Sequence, residues 1–225
     1  TDKNADSTIN WKSTSSSQLS LTMDQEKDVS VIVDVVEEFQ SNPNVQNKYR
    51  ERQRRAAEED IDDFVLQEYQ NAGTSIPTSA TSASGFEDVV RRAKVALSDK
   101  NVPRANRFIV LTPHYADLLE KAATDRFEAS DAGDTARAGF IGRYQGFDIY
   151  ESQRIPETGS SPVKQHMMFG HTEATTLAVE PEEFHLIPNS QMSTHHGAGL
   201  KGLVVFGAKT FLLNALGEIS ADKPS

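Results

Sequence analysis

RFIVLTPHYADLLEKA, residues 107–122, joins a short apolar run directly to a proline-led helical pattern. The run at 107–111 predicts a buried strand, because it is rich in aliphatic residues and too short for a helix. Thr112 then offers an N-cap, and Pro113 takes the first helical position, where a backbone N–H would have no partner within the helix. Leu118 and Leu119 supply an apolar face for that helix. The segment therefore predicts a strand followed at once by a helix.

Further apolar segments follow towards the C terminus. GFIGRYQGFDIYES, residues 139–152, predicts one strand that is interrupted by glycines. It does not predict a phosphate-binding loop, because no Gly-Lys-Ser/Thr follows the glycines. HMMFGHTEATTLAVEP (166–181) and LKGLVVFGAKTFLLNAL (200–216) are apolar as well, and the Gly-rich stretch STHHGAGL (193–200) leads into the second. These segments extend the core predicted around residues 107–122.

A second helix is predicted upstream of this strand. Ser84 and Glu87 have the spacing of a capping box, and the helix that follows ends at Asn101-Val102-Pro103. One face of it carries Phe86, Val89, Val90, Ala93 and Leu97. The preceding GTSIPTSATSAS (73–84) has the composition of a linker, and it predicts a boundary between subdomains.

A single long helix is predicted before the linker, from Pro43 to residue 72. Asn42 offers an N-cap, and neither glycine nor proline follows Pro43 until Gly73. Its apolar positions form a narrow stripe of Val45, Tyr49, Ala57, Ile61, Phe64, Val65 and Tyr69. A basic run (Arg50, Arg52, Arg54, Arg55) precedes an acidic run (58–63), which is the order that the helix dipole disfavours. Half of the helix is therefore expected to face water or another subunit, in preference to nucleic acid.

Residues 1–40 alternate between polar and apolar side chains. Apolar residues at 19–23 and 29–33 flank the charged DQEKD at 24–28, which predicts two strands joined by a charged turn. An isolated two-stranded ribbon is marginal in water, so this hairpin is expected to lie on another surface. Trp11, the single tryptophan, is expected to anchor it in a pocket of a neighbouring chain.

The composition excludes several classes of function. None of the 225 residues is cysteine, which removes disulfides, thiolate zinc sites and cysteine nucleophiles. The formal net charge of −10 disfavours a protein whose main task is binding nucleic acid, because phosphate contacts need a basic surface. No apolar run is long enough to span a bilayer, and the first residues lack the features of a signal peptide. A soluble protein without a membrane partner is expected.

The histidines provide the one candidate for site chemistry. His166 and His171 are five residues apart and His195 and His196 are adjacent, which is not the ligand spacing of zinc hydrolases. No serine has the context of a catalytic nucleophile. We therefore expect no catalytic residue, no metal and no cofactor. An enzyme or binding domain that uses the histidines is the rival hypothesis.

The order of these segments resembles the major capsid proteins of tailed double-stranded DNA bacteriophages, which have the Hong Kong 97-type fold. In that family a strand-Pro-helix unit, a Gly-x-hydrophobic-Gly segment and a terminal hydrophobic-Gly-Ala-Lys segment belong to the axial domain. The resemblance implies an α+β fold with five parts for this chain. They are an extended β-hairpin loop at 1–40, the spine helix and linker of a peripheral domain at 41–84, an axial domain at 85–180, a peripheral return strand and loop at 181–200, and an axial C-terminal segment at 201–225.

The function implied by this resemblance is structural and not enzymatic. Subunits of the family form the pentamers and hexamers of an icosahedral shell, so the expected location is the virion, after assembly in the host cytoplasm. Packaged double-stranded DNA is expected to make weak, non-specific contacts, which suits an acidic wall. Scaffolding, portal and cement proteins are candidate partners. Encapsulins, bacterial protein compartments with the same fold, are the alternative.

Seven residues are predicted to contact neighbouring subunits. Trp11, Leu19, Leu21 and Met23 lie in the predicted extended loop, and Arg50, Arg54 and Glu58 lie on the long helix.

Overall fold

The computed structural model describes residues 19–33, 43–122, 128–129, 139–181, 185–187 and 198–224. Their helices are α1 (Pro43–Leu66), α2 (Ala83–Asp99) and α3 (Pro113–Ala122), with 3₁₀ helices at Gln67–Asn71 and Leu213–Ala215. Their strands are β1 (Gln25–Asp28), β2 (Val31–Val33), β3 (Ser75–Thr78), β4 (Arg107–Leu111), β5 (Glu128–Ala129), β6 (Phe140–Tyr144), β7 (Phe147–Glu151), β8 (Glu157–Thr158), β9 (Lys164–His171), β10 (Thr175–Pro181), β11 (His185–Ile187), β12 (Ala198–Lys201), β13 (Leu203–Thr210) and β14 (Leu216–Asp222).

The largest sheet has eight strands in the order β3-β14-β9-β4-β7-β6-β5, with β8 beside β9. Its strand β4 is parallel to β7 and antiparallel to β9. Phe86 of α2 and Leu119 of α3 share one hydrophobic core with Ile109, Phe147 and Phe169 of the sheet. The predicted strand at 107–111 and the helix that starts at Pro113 are confirmed.

α2 begins slightly earlier than predicted. The hydroxyl oxygen of Ser82 caps the helix by accepting a hydrogen bond from the Gly85 backbone N–H at 3.2 Å. The predicted capping box of Ser84 and Glu87 is therefore wrong. Glu87 instead pairs with Arg91, one turn further along, at 2.7 Å. The predicted apolar face is confirmed, because all five of its residues are buried.

Residues 139–152 form a hairpin and not the single strand that was predicted. β6 and β7 pair antiparallel on either side of Gln145 and Gly146, whose φ values are 54° and 86°. Two consecutive positive φ values are typical of a type I′ turn, in which glycine is favoured. Gly146 therefore reverses the chain where a bend within one strand was expected.

The predicted linker at 73–84 contains a strand. β3 pairs in parallel with β14, and Ile76 lies opposite Ile219. Because β3 is at the edge of the sheet, one buried residue, Ile76, is enough to attach it, and Pro77 is tolerated there. Such a strand lacks the apolar periodicity by which strands are predicted.

The described residues form two smaller sheets as well. β1, β13 and β10 make an antiparallel sheet, called the helix-backed sheet below because α1 packs on it, and β11, β12 and β2 make the other. β1 pairs with β13 and β2 pairs with β12, so the two strands do not form a hairpin with each other. The predicted charged turn at 24–28 is mostly strand, because an edge strand tolerates charged side chains. Residues 1–18 and 34–40 of the predicted loop lie outside the described residues.

The predicted long helix is confirmed as an α-helix over Pro43–Leu66 and continues as a 3₁₀ helix over Gln67–Asn71. It ends where Ala72 adopts an extended conformation. The predicted N-cap, Asn42, and the side chain of Val45 lie outside the described residues. No helix in the described part of the chain is long and apolar enough to cross a membrane.

Candidate subunit interface

α1 lies on one face of the helix-backed sheet through a narrow apolar stripe. Ala57 is buried against Val204 and Phe206 of β13, and Ile61 and Phe64 pack beside them. The rings of Phe64 and Phe206 meet edge to face, with their centroids 5.4 Å apart, an arrangement that aromatic quadrupoles favour. The predicted stripe is confirmed at these positions, so the opposite side of α1 faces away from the sheet.

Gln53 extends this stripe with a buried polar side chain. It is only 4% exposed, and its Nε2 donates to the backbone carbonyls of Val29 at 2.6 Å and Leu200 at 3.1 Å. These bonds tie α1 to the β1–β2 connection and to β12. Sequence analysis missed Gln53, whose one signal is its position four residues from both Tyr49 and Ala57 of the stripe.

The hydrogen bonds of Gln53 also fix the orientation of its amide. Both partners are carbonyl oxygens, which can only accept, so the nitrogen must face them. The Oε1 atom is therefore directed elsewhere. It is buried and accepts no hydrogen bond from the described residues, which is an uncommon and unfavourable state for a buried acceptor.

Residues 19–24, called the strap below, cross the other face of β13. A Cβ atom at Gly207 would meet the strap backbone and lie 2.9 Å from Met23 Cα, so only glycine fits there. Lys209 projects from the same face, because side chains two residues apart in a strand do so. Its Nζ donates to the Ser20 carbonyl at 2.9 Å. Within the Gly-Ala-Lys motif, Gly207 therefore leaves room for the strap backbone, and Lys209 holds the strap by a hydrogen bond.

The strap exposes two of the predicted interface residues. Leu19 is 65% exposed and Met23 is 40% exposed, whereas Leu21 is partly buried. Ile32 of β2 adds a further exposed apolar side chain. Exposed large apolar side chains are candidates for contact with another chain when they lie in one patch. The interface role of these residues stays a prediction, and Trp11 lies outside the described residues.

The three predicted interface residues of α1 lie on its exposed side. Arg54 Nε and Glu58 Oε1 form an ion pair at 2.9 Å, and Arg50 lies one turn before Arg54. An exposed pair of this spacing contributes about 0.3–0.5 kcal/mol. A neighbouring subunit that binds Arg54 or Glu58 therefore competes only with this weak ion pair within the chain. Their role in subunit contacts also stays a prediction.

Arg154, in the connection between β7 and β8, binds two carboxylates of α1. Its guanidinium donates to Asp63 Oδ2 at 2.7 Å and also to Glu59. Burial of the adjacent Asp62 raises the pKa of its carboxyl; Arg154 opposes this rise, whereas Asp63, Glu58 and Glu59 add to it. One cation thus connects the acidic half of α1 to the eight-stranded sheet.

His166 connects the end of the long helix to the eight-stranded sheet. Its Nδ1 lies 2.6 Å from Glu218 Oε1, and its Nε2 lies 2.5 Å from Thr158 Oγ1. Its ring stacks on Tyr69, with the centroids 4.3 Å apart. Within the described ranges, no group of three His, Cys, Asp or Glu side chains could hold a metal ion. His195 and His196 lie outside those ranges.

An open cavity of about 460 Å³ lies beside the second 3₁₀ helix. Leu212 and Leu213 border it and are each 51% exposed. Val102 and Pro103 line it from the end of α2. Its polar lining residues include Lys100, His171 and Glu173. The Lys100 ammonium donates to the Gly73 carbonyl at 2.8 Å and is thereby bound to the chain itself.

Comparisons with known proteins identify the fold. No protein-family model and no curated protein matches this sequence. The structure of Mycobacterium phage Che8 has a TM-score of 0.63 and 23% identity, over 92% of this chain and 76% of that chain. The capsid structure of cyanophage P-SCSP1u has a TM-score of 0.69 and 14% identity, over 96% of this chain and 81% of that chain. The holo-SrpI encapsulin complex from Synechococcus elongatus PCC 7942 has a TM-score of 0.56 and 15% identity, over 88% of this chain and 73% of that chain.

These similarities confirm the fold expected from the resemblance. The chain mixes helices and sheets in the Hong Kong 97-type arrangement of phage capsids. At such identities the similarity is one of fold, and function has to be argued from surfaces and sites.

Proposed function

We propose that this chain is a major capsid subunit that assembles through pentamers and hexamers into an icosahedral shell enclosing double-stranded DNA. The observation that carries the proposal is the match of nearly the whole chain to capsid structures, over 96% of it for the cyanophage capsid. Its subunits are the main partners of one another, and scaffolding, portal and cement proteins are candidate further partners. Contact with DNA is weak, since the net charge is −10.

Open strand edges support self-association. In the described residues, β1 and β10 each pair on one side only, at the two edges of the helix-backed sheet. Unpaired strand edges favour pairing with another chain. Leu177 and Val179 of the edge strand β10 are also exposed. The isolated subunit therefore presents both backbone and apolar groups that a neighbour would cover.

We assign the domains by sheet membership. The eight-stranded sheet with α2 and α3 is the proposed axial domain, and α1 with the two smaller sheets is the proposed peripheral domain. β13 pairs with β1 and β10, whereas β14 pairs with β3 and β9. The boundary within the segment 201–225 accordingly falls between β13 and β14.

Electron microscopy of the purified full chain tests the proposal, with light scattering to measure mass. We expect homogeneous closed particles of megadalton mass that protect DNA from nuclease. A stable monomer or dimer whose melting temperature rises with a small ligand would contradict it and favour the rival enzyme or binding domain.

A protein-filled compartment is the second candidate, because the similarity extends to an encapsulin. The content of the particles distinguishes the two candidates. Particles that contain protein and no nuclease-protected DNA after expression in the natural host would favour the compartment.

A further inference from the structure

His166 lies in β9 between two strands that each supply one of its side-chain partners. On one side β14 places Ser220 opposite His166, and on the other β8 places Thr158 opposite Lys164. Glu218 and Thr158 are therefore diagonal neighbours of His166, on the same face of the sheet. The strand register thus brings a hydroxyl, an imidazole and a carboxylate into one row.

The hydrogen bonds in this row have a defined direction. Glu218 Oε1 lies 2.6 Å from His166 Nδ1, and because a carboxylate can only accept, Nδ1 carries the proton of the neutral ring. Nε2 is then an acceptor, and the Thr158 hydroxyl, 2.5 Å away, donates to it. A hydroxyl bound to a base that is itself oriented by a third group is the arrangement that activates oxygen nucleophiles.

The imidazole is held in this position from several sides. Its ring stacks on Tyr69 with an angle of 12° between the two planes. Glu157, the carboxylate next to Thr158 in the sequence, accepts hydrogen bonds from Gln165 at 2.9 Å and from Lys223 at 2.8 Å. Because Glu157 is bound by these two residues, Glu218 is the carboxylate that orients His166.

The row is buried at one end and open at the other. The side chains of His166 and Glu218 are only 10% and 13% exposed, whereas Thr158 lies in the exposed two-residue strand β8. A small molecule in solution can therefore approach the hydroxyl while the base stays shielded from water. Aryl esters and thioesters are suitable reactants, since their good leaving groups reduce the need for the oxyanion donors on which amide cleavage depends.

We propose that Thr158 is a nucleophile that accepts one acyl group from an aryl ester or thioester, with His166 as its general base and Glu218 as a positioning residue. This reactivity belongs to the single subunit and is independent of the proposed shell. Thr158 Oγ1 forms a bond to the carbonyl carbon, and its proton passes to His166 Nε2. The bond from that carbon to the leaving oxygen or sulfur breaks with its electron pair, and the leaving group takes the proton from the imidazolium. The product is an acyl ester of Thr158.

Brief exposure of the full chain to p-nitrophenyl acetate, followed by acid quenching and peptide mass spectrometry, tests the proposal. Thr176, an exposed threonine of β10 opposite Lys209, is the control within the same molecule. General-base assistance contributes about 100-fold or more to a rate, so Thr158 should be acetylated about 100-fold faster than Thr176. Equal rates at the two threonines would overturn the proposal.

Substitutions at the exposed end of the row separate the reacting hydroxyl from the fold. Thr158→Val keeps the shape of the side chain and should abolish acetylation at this position, whereas Thr158→Ser keeps the hydroxyl and should retain it. His166→Gln should reduce the rate at Thr158 to that of Thr176. A folded His166→Gln variant that is acetylated at the original rate would overturn the role of the base.

Glu218 is tested by charge at nearly constant shape. In Glu218→Gln the amide oxygen can still accept from Nδ1–H, but it carries no charge to stabilise the imidazolium, so the rate should fall by about tenfold or more. Glu218→Asp, which restores the charge, should recover part of that loss. Melting temperatures are measured on the same samples. If the rates of these variants follow only their melting temperatures, Glu218 has a structural role and its positioning role is overturned.

Discussion

Gly207 and Ala208 are neighbours in β13 that face opposite sides of the helix-backed sheet. A side chain at 207 meets the strap, whereas position 208 lies opposite Leu177 of β10 on the other face. We expect Gly207→Ala to reduce the free energy of unfolding by about 1–3 kcal/mol through overpacking. It should also release the strap, so that limited proteolysis within residues 19–24 becomes faster. Ala208→Ser is the matched control, and equal cleavage rates in the two variants would contradict the proposed fit.

Asp62 provides a prediction of pH dependence. Burial raises the pKa of this carboxyl above its ordinary value of 3.8, so its charge destabilises the folded state above the folded pKa. As the pH falls through that value, the folded chain takes up the proton first and the penalty disappears. Asp62→Asn should therefore stabilise the subunit at pH 7, by no more than about 1 kcal/mol because the carboxyl is only partly removed from water and the residue keeps a large solvent contact. Urea titrations should show the gain shrinking towards pH 4; a constant gain would contradict this origin.

At the scale of elements, α1 is attached to two different sheets. Its apolar stripe packs on β13, and its acidic half reaches the eight-stranded sheet through Arg154. The packing on β13 is mainly hydrophobic, as is the burial of Leu66 in the core of the eight-stranded sheet, whereas the contact through Arg154 is electrostatic and exposed. The two kinds of contact should therefore respond differently to salt.

Arg154→Met tests the electrostatic attachment. It leaves Glu59 and Asp63 without this cation, so we expect a loss of about 1 kcal/mol in stability at low ionic strength. The loss should fall in high salt. Arg143→Met, which removes an exposed ion pair with Asp148 on the β6–β7 hairpin, is the control. If both variants lose the same stability at every salt concentration, Arg154 has no special role in holding α1.

At the scale of the whole molecule, the N-terminal region separates into two parts. β1 and β2 belong to sheets whose other strands come from the C-terminal quarter of the chain. Removing them would expose the edges of β13 and β12. The residues before the strap lie outside the described residues.

Two truncations distinguish these parts. Removal of residues 1–18 should leave a soluble, folded subunit that does not form stable particles, since the anchor predicted at Trp11 is lost. Removal of residues 1–33 should instead cause aggregation or unfolding, because two strand edges are exposed. Circular dichroism and size-exclusion chromatography measure these outcomes. Stable particles from the shorter truncation would contradict the role of this region in assembly.

The sequence by itself determined the elements that local physics dominates. The 107–122 unit, the apolar face of α2 and the long helix were predicted correctly, because the apolar period and the position of proline act over a few neighbours. The mixed α+β class was implied by the family resemblance that the order of these segments carries. Local signals failed where an edge strand carried charge or little apolar surface, as at β1 and β3.

Only the tertiary structure decided which distant residues meet. β1 and β13 pair although they lie near opposite ends of the sequence, and the Gln53 side chain donates a hydrogen bond to the Leu200 carbonyl. The buried acceptor of Gln53 and the close approach of the strap to Gly207 exist only once these segments are assembled. The physical reason is that hydrophobic burial is non-directional, so a sequence pattern specifies that a face will be covered without specifying by what.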